Sequence, residues 1–208
     1  MSTADTRTAR AGAHDLELAA FAASGDRAAY GELVRRHAPA VRGLMRRMGA
    51  DPALSDDVAQ DAFLAGFEQI GTFRGDGTFR AWISKIAARA FVRRRRRDGR
   101  IAQTALDADL ESEAPARLEA MTGEGGAAQK LDLDEALRSL SEVEKLCVSM
   151  CYGAGLSHAE VADILNTPLG TIKSHVKRGL DKLRARLAPG NGQDTAADSA
   201  ERTSHGAG

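Results

Sequence analysis

Between Phe73 and Arg100 the chain sets an aromatic ring, a guanidinium and a carboxylate in a glycine-rich loop: Phe73, Arg74 and Asp76. A helical pattern follows, with Phe79, Trp82, Ile83, Ile86, Ala87 and Ala90 on one apolar face and Lys85 and Arg89 away from its centre. It runs into five consecutive arginines, Arg93, Arg94, Arg95, Arg96 and Arg97. The chemistry these residues suit is non-covalent. Adjacent guanidinium groups repel one another and are tolerated beside water or a polyanion, of which nucleic-acid phosphate is the commonest. Aromatic rings next to such charge can hold unstacked bases. Taken alone, the run is equally a solvated helix end. Trp82, at the edge of the apolar face, reads as core in preference to a wedge between bases.

A second candidate face lies nearer the C-terminus. Ser157 to Leu165 and Thr171 to Leu187 read as two helices joined at Asn166-Thr167-Pro168, a helix-turn-helix pattern. The second would carry Ile172, Val176, Leu180, Leu183 and Leu187 inward. Thr171, Lys173, Ser174, His175, Lys177 and Arg178 occupy its N-terminal half, where a recognition helix meets base edges, and the last five are expected to point outward. Lys182, Arg184 and Arg186 would meet phosphates further along. The bland alternative is a three-helix bundle with a solvated basic face.

Covalent chemistry has no comparable signal. There is no nucleophile elbow, Walker loop or metal-ligand cluster, and neither a cofactor, a metal nor enzymatic activity is expected. Asp57 and Asp61 are paired acids on a helix without a pocket. Cys147 and Cys151, the only two cysteines, stand at i and i+4, and small core residues fit better than a zinc site lacking two further ligands.

Positioning these faces requires helices. Lys plus Arg and Asp plus Glu are both 29, so net charge is zero, and its distribution is what informs. Residues 80 to 100 are basic, and 105 to 125 are acidic. Few aromatics and much Ala, Leu and Arg favour an all-α fold: two small helical domains joined by a flexible acidic linker. The organisation expected is a disordered segment at 1–13, a four-helix domain at 14–100, a linker at 101–130, the helix-turn-helix domain at 131–188 and a disordered tail at 189–208. In the first domain, Asp26 caps a long helix containing Pro39, and Ser55 caps the helix that carries Val58, Ala62, Phe63, Phe67 and Ile70. In the second, Ser141 with Glu144 and Ser157 with Glu160 are capping boxes. No apolar run approaches membrane-spanning length and no signal peptide is visible, so a cytoplasmic protein without membrane insertion is expected.

Three stretches together resemble the extracytoplasmic-function (ECF) sigma factors of bacterial RNA polymerase: DDVAQDAF at 56–63, FRGDGTFRAWISKIAARA at 73–90 and LSHAEVADILNTPLGTIKSHVKRGLDKLR at 156–184. The resemblance implies that Asp57, Gln60, Asp61 and Phe63 dock on the clamp helices of core polymerase. It implies that loop 73–77 and the helix after it melt the minus-ten element, with a base flipped near Phe73, Arg74 and Asp76. Trp82, Lys85, Arg89, Arg93, Arg94 and Arg96 would then hold the DNA. Thr171, Lys173, Ser174, His175, Lys177 and Arg178 would read the minus-thirty-five element. The acidic tether would thread the transcript channel, and an anti-sigma factor would regulate the protein. Arg89 stands where the family often has Asn, which removes an amide contact to adenine. Phe67 replaces a frequent Trp, and Asn166 a frequent Gly. A conventional helix-turn-helix regulator, or a mimic that sequesters an anti-sigma factor, are the alternatives.

Overall fold

The computed structural model describes residues 13–99 and 127–187, with side chains from 13 to 99 and from 133 to 187. Residues 1–12 of the segment expected as disordered at 1–13, residues 101–126 of the linker and the tail from 189 lie outside the described residues. Eight α-helices form the described residues: α1 Asp15–Ala23, α2 Arg27–Arg47, α3 Pro52–Glu68, α4 Phe79–Arg97, α5 Ala127–Arg138, α6 Glu142–Val148, α7 His158–Leu165 and α8 Leu169–Leu187. A 3-10 turn at Ile70–Thr72 follows α3, and a π turn at Ser149–Gly153 follows α6.

Local chemistry explains the boundaries. The Asp26 carboxylate accepts from the backbone N–H groups of Ala28 and Ala29 and starts α2. Pro39 lies inside that helix. The start of α3 differs from the expected Ser55 cap. Asp51 is the N-cap, accepting from Leu54 N at 2.8 Å, and Pro52 takes the first helical position, where its fixed φ suits the helix and its missing N–H costs nothing. Ser55 is instead buried and donates to the Asp51 carbonyl at 2.8 Å. Thr78 caps α4. Both expected capping boxes form, at Ser141/Glu144 and Ser157/Glu160. Asn166 takes the left-handed conformation, φ 47° and ψ 52°, and turns the chain between α7 and α8. Helix α5 begins at Ala127, inside the tract expected as linker, and α8 begins at Leu169, two residues before the expected Thr171.

Helices α1 to α4 pack as one body, with α2 touching α1, α3 and α4. Its centre is Leu18, Leu33, Val41, Leu44, Met45, Phe79, Ile83 and Phe91. In the second body α8 lies on α5, α6 and α7 through Ile172, Val176, Leu180 and Leu183. Leu187, expected inward, is exposed at the end of the helix.

At Gly66, α3 packs closely on side chains of both α4 and α2. A Cβ there would fall 2.7 Å from Ile83 Cδ1 and 2.8 Å from Tyr30 Oη, whose hydroxyl donates to the Phe63 carbonyl. Gly66→Ala is therefore expected to lower stability by about 1–3 kcal/mol through overpacking, read as a lower midpoint in urea unfolding.

Candidate nucleic-acid interface

The helical rotation of α4 sorts its residues into two faces. Phe79, Ile83, Ala87, Ala88 and Phe91 are buried. Trp82, Lys85, Arg89, Arg93 and Arg96 share the opposite stripe at spacings of three, four, four and three. Loop 73–77 joins the head of this stripe. Phe73 is half-buried, with ring centroids 5.6 Å from Phe79 and 5.7 Å from Trp82. Phe79 and Trp82 are 5.4 Å apart, so the three rings form one cluster. Trp82 is thus held at the margin of the core, as its edge position predicted. Arg74 and Asp76 are exposed at the loop tip. A cleft of about 490 Å³ opens beside the loop, lined by residues that include His14, Leu16, Arg36, Phe73, Gly75 and Gly77.

The arginine run is not uniform. Arg93 and Arg96 are exposed. The Arg95 guanidinium stacks 5.7 Å above the Phe91 ring centroid. Arg94 turns toward α3, 3.8 Å from the Asp57 carboxylate, and so leaves the stripe.

On α3, Asp57, Gln60 and Asp61 are exposed on one face. Phe63 is not part of it: only 6% of its surface is exposed, because the rotation of α3 carries it into the core with Ala62 and Gly66. Leu64, which the sequence reading missed, completes the exposed face and is 60% exposed. The signal was available, since 57, 60, 61 and 64 follow the i, i+3, i+4, i+7 rule.

The second body departs further from expectation. On α8, Lys173 is exposed and Lys177 and Arg178 are half-buried, whereas Thr171, Ser174 and His175 are buried. Ser174 donates back to the Gly170 carbonyl at 3.1 Å, and His175 Nδ1 lies 3.2 Å from Arg178. Packing of α8 against three helices widens its covered arc beyond the apolar stripe that periodicity reveals. Lys182, expected at phosphate, instead binds both Glu144 oxygens, at 2.8 and 2.9 Å. Arg184 pairs with Asp181 at 2.9 Å.

Cys147 and Cys151 are unpaired thiols, and burial pushes each up to about 12. Among the described residues no group of His, Cys, Asp and Glu is arranged to hold a metal ion, and no helix is long and apolar enough to cross a membrane.

Burial alone would raise the Glu144 pKa. The Lys182 ammonium and the Ser141 N–H outweigh it, and the carboxyl ends below its ordinary value. A depressed carboxyl contributes stability that is complete above the unfolded-state pKa of about 4.3 and is lost as pH falls through the folded value. Urea midpoints measured from pH 7 down to pH 3 should therefore fall less steeply for Glu144→Gln than for the unaltered chain, and the gap between the two should narrow toward acid.

Two family models match, "Sigma-70 region 2" over 33–101 and "Sigma-70, region 4" over 136–185. The chain is 34% identical over 178 residues to "ECF RNA polymerase sigma factor SigE" of Mycolicibacterium smegmatis, covering 82% of this chain and 67% of that one. It is 30% identical over 181 residues to "RNA polymerase sigma factor NccH" of Alcaligenes xylosoxydans xylosoxydans, covering 83% and 94%. Among solved structures it is similar to CnrH, determined in complex with the cytosolic domain of CnrY, at 27% identity and TM-score 0.48, covering 83% of this chain and 96% of that one.

Proposed function

The chain belongs to the extracytoplasmic-function family of RNA polymerase sigma factors, and on that premise we propose how its surfaces divide the work. The face Asp57, Gln60, Asp61 and Leu64 docks on core polymerase. Acids around one exposed leucine make a small polar-rimmed patch, suited to a basic partner with an apolar contact at its centre. Helix α4 and loop 73–77 engage the minus-ten element.

The observation that carries this reading is the stripe Trp82, Lys85, Arg89, Arg93 and Arg96 leading out of the loop. Its spacing matches one strand of backbone laid along a helix, with cations for phosphates and rings at one end for an unstacked base. Unstacking costs a few kcal/mol, which stacking on Phe73 and contacts from Arg74 and Asp76 offset. The cleft beside Phe73 supports a base-receiving role there. On α8 the reading surface for the minus-thirty-five element narrows to Lys173, Lys177 and Arg178. Thr171, Ser174 and His175 support it from within, and Arg89 does not supply an amide contact to adenine.

The protein has no reaction of its own under this reading and works in the cytoplasm, where polymerase and promoter are. An anti-sigma protein is its regulator by family likeness. A conventional helix-turn-helix regulator would leave the α3 face and the α4 stripe without a role.

Run-off transcription tests the reading. Added to bacterial core polymerase with genomic fragments, the chain should yield discrete start sites preceded by a shared pair of elements, and a lack of any start site overturns it. Asp61→Lys should weaken binding to core roughly tenfold, about 1.4 kcal/mol, in a pull-down titration. Replacing Arg93 and Arg96 together with Gln should reduce the salt slope of promoter binding by about one to two while changing sequence preference little.

A further inference from the structure

The two helical bodies lie against each other, and they meet on the α4 stripe. Glu160 of α7 approaches Lys85 Nζ at 3.3 Å and Arg89 at 4.0 Å. Beside this contact, Gly153 is seated so closely on the first body that a Cβ would fall 2.6 Å from Leu44 Cδ1. The Ser149 hydroxyl donates to the Arg47 carbonyl at 3.3 Å. The Arg47 guanidinium is desolvated at the same junction, with the Asp134 carboxylate of α5 offsetting part of the cost. The π turn, through Ser149 and Gly153, and the Glu160 carboxylate thus hold one body to the other.

We propose that this junction is a self-occluding clasp, in which Glu160 occupies Lys85 and Arg89 in place of DNA phosphate until core polymerase draws the two bodies apart. The proposal rests on the reading of α4 as the minus-ten surface. Glu160 is already ordered by the Ser157 cap, accepting from Ser157 N at 2.8 Å and from its hydroxyl at 2.9 Å, so little side-chain freedom is lost in making the clasp. Those same bonds, the Ser157 N–H first, hold its carboxyl below the ordinary value despite partial burial and keep it charged. A carboxylate and a phosphate oxygen present alike to an ammonium or a guanidinium, so the two anions compete for the same cations. A half-exposed pair of this kind is still reached by solvent and is weak, which suits a clasp that must open.

Glu160→Gln removes the charge and keeps the capping box, since glutamine serves at that position. Gly153→Ala strains the seat from the other side. Each full-length variant is compared with the unaltered chain in hydrogen–deuterium exchange over residues 149–160, and in anisotropy titration of a labelled 20-nucleotide mixed-sequence single strand at low salt. Faster exchange with affinity at least about twofold tighter in both variants is expected, in line with the energy of a solvent-reached ion pair. Unchanged exchange overturns the clasp. Faster exchange with unchanged or weaker affinity overturns occlusion, because the opened surface would then not be the one DNA uses. Exchange does not depend on DNA, and run-off transcription by the unaltered chain reports on the functional reading separately, so failure of either inference is told apart from failure of the other.

Discussion

Burial of Phe79 is the contact on which the rest of the molecule depends. It opens α4, is 1% exposed, and lies within 5.2 to 5.6 Å, ring to ring, of His37, Trp82 and Phe73. Five successive arginines at the far end of the same helix repel one another and favour unwinding. A helix with that ending is held by what it buries at its head and along one side. Ring packing on Phe79 supplies the head, and Ile83, Ala87 and Phe91 continue it. The same ring fixes Phe73, and so sets where loop 73–77 stands relative to the cationic stripe. Order in the core and aim at the surface therefore come from one residue.

Helix pairing is set by small residues where backbones approach. Gly66 lets α3 lie against α4, and Gly153 lets the π turn lie against α2 through Leu44. The carboxylates do the complementary work at helix starts. Asp26, Asp51, Glu144 and Glu160 each bind backbone N–H groups, and the last two also engage a lysine from another helix. In Glu144 and Glu160 a local signal and a long-range contact coincide in one side chain.

Much of this was legible in the sequence, and the reasons for the gaps are physical. Capping boxes and helical periodicity are local, so α1, α2, α6 and α7 and the Asn166 turn follow from neighbouring residues alone. The start of α3 is ambiguous in sequence because a Ser with two acids after it looks like a cap, while Asp51-Pro52 is the stronger signal once the proline is placed at the first helical position. Phe63, Ser174 and His175 read as surface residues because motif position does not reveal how a helix is rotated against its neighbours, two for α3 and three for α8. Leu64 is hidden in the sequence because an apolar residue beside an apolar stripe reads as more of the stripe. The roles of Glu160 and Lys182 beyond their own helices depend on contacts 75 and 38 residues apart in the chain, which no window of sequence contains.

The thiols of Cys147 and Cys151 carry a consequence for how the protein is controlled. Both stay protonated near neutrality, and one is closed off from solvent altogether. Peroxides and disulfide donors react with thiolates, so these two sulfurs are poor oxidant detectors. No other cysteine exists in the chain. Control through thiol chemistry on this chain is therefore disfavoured near neutrality.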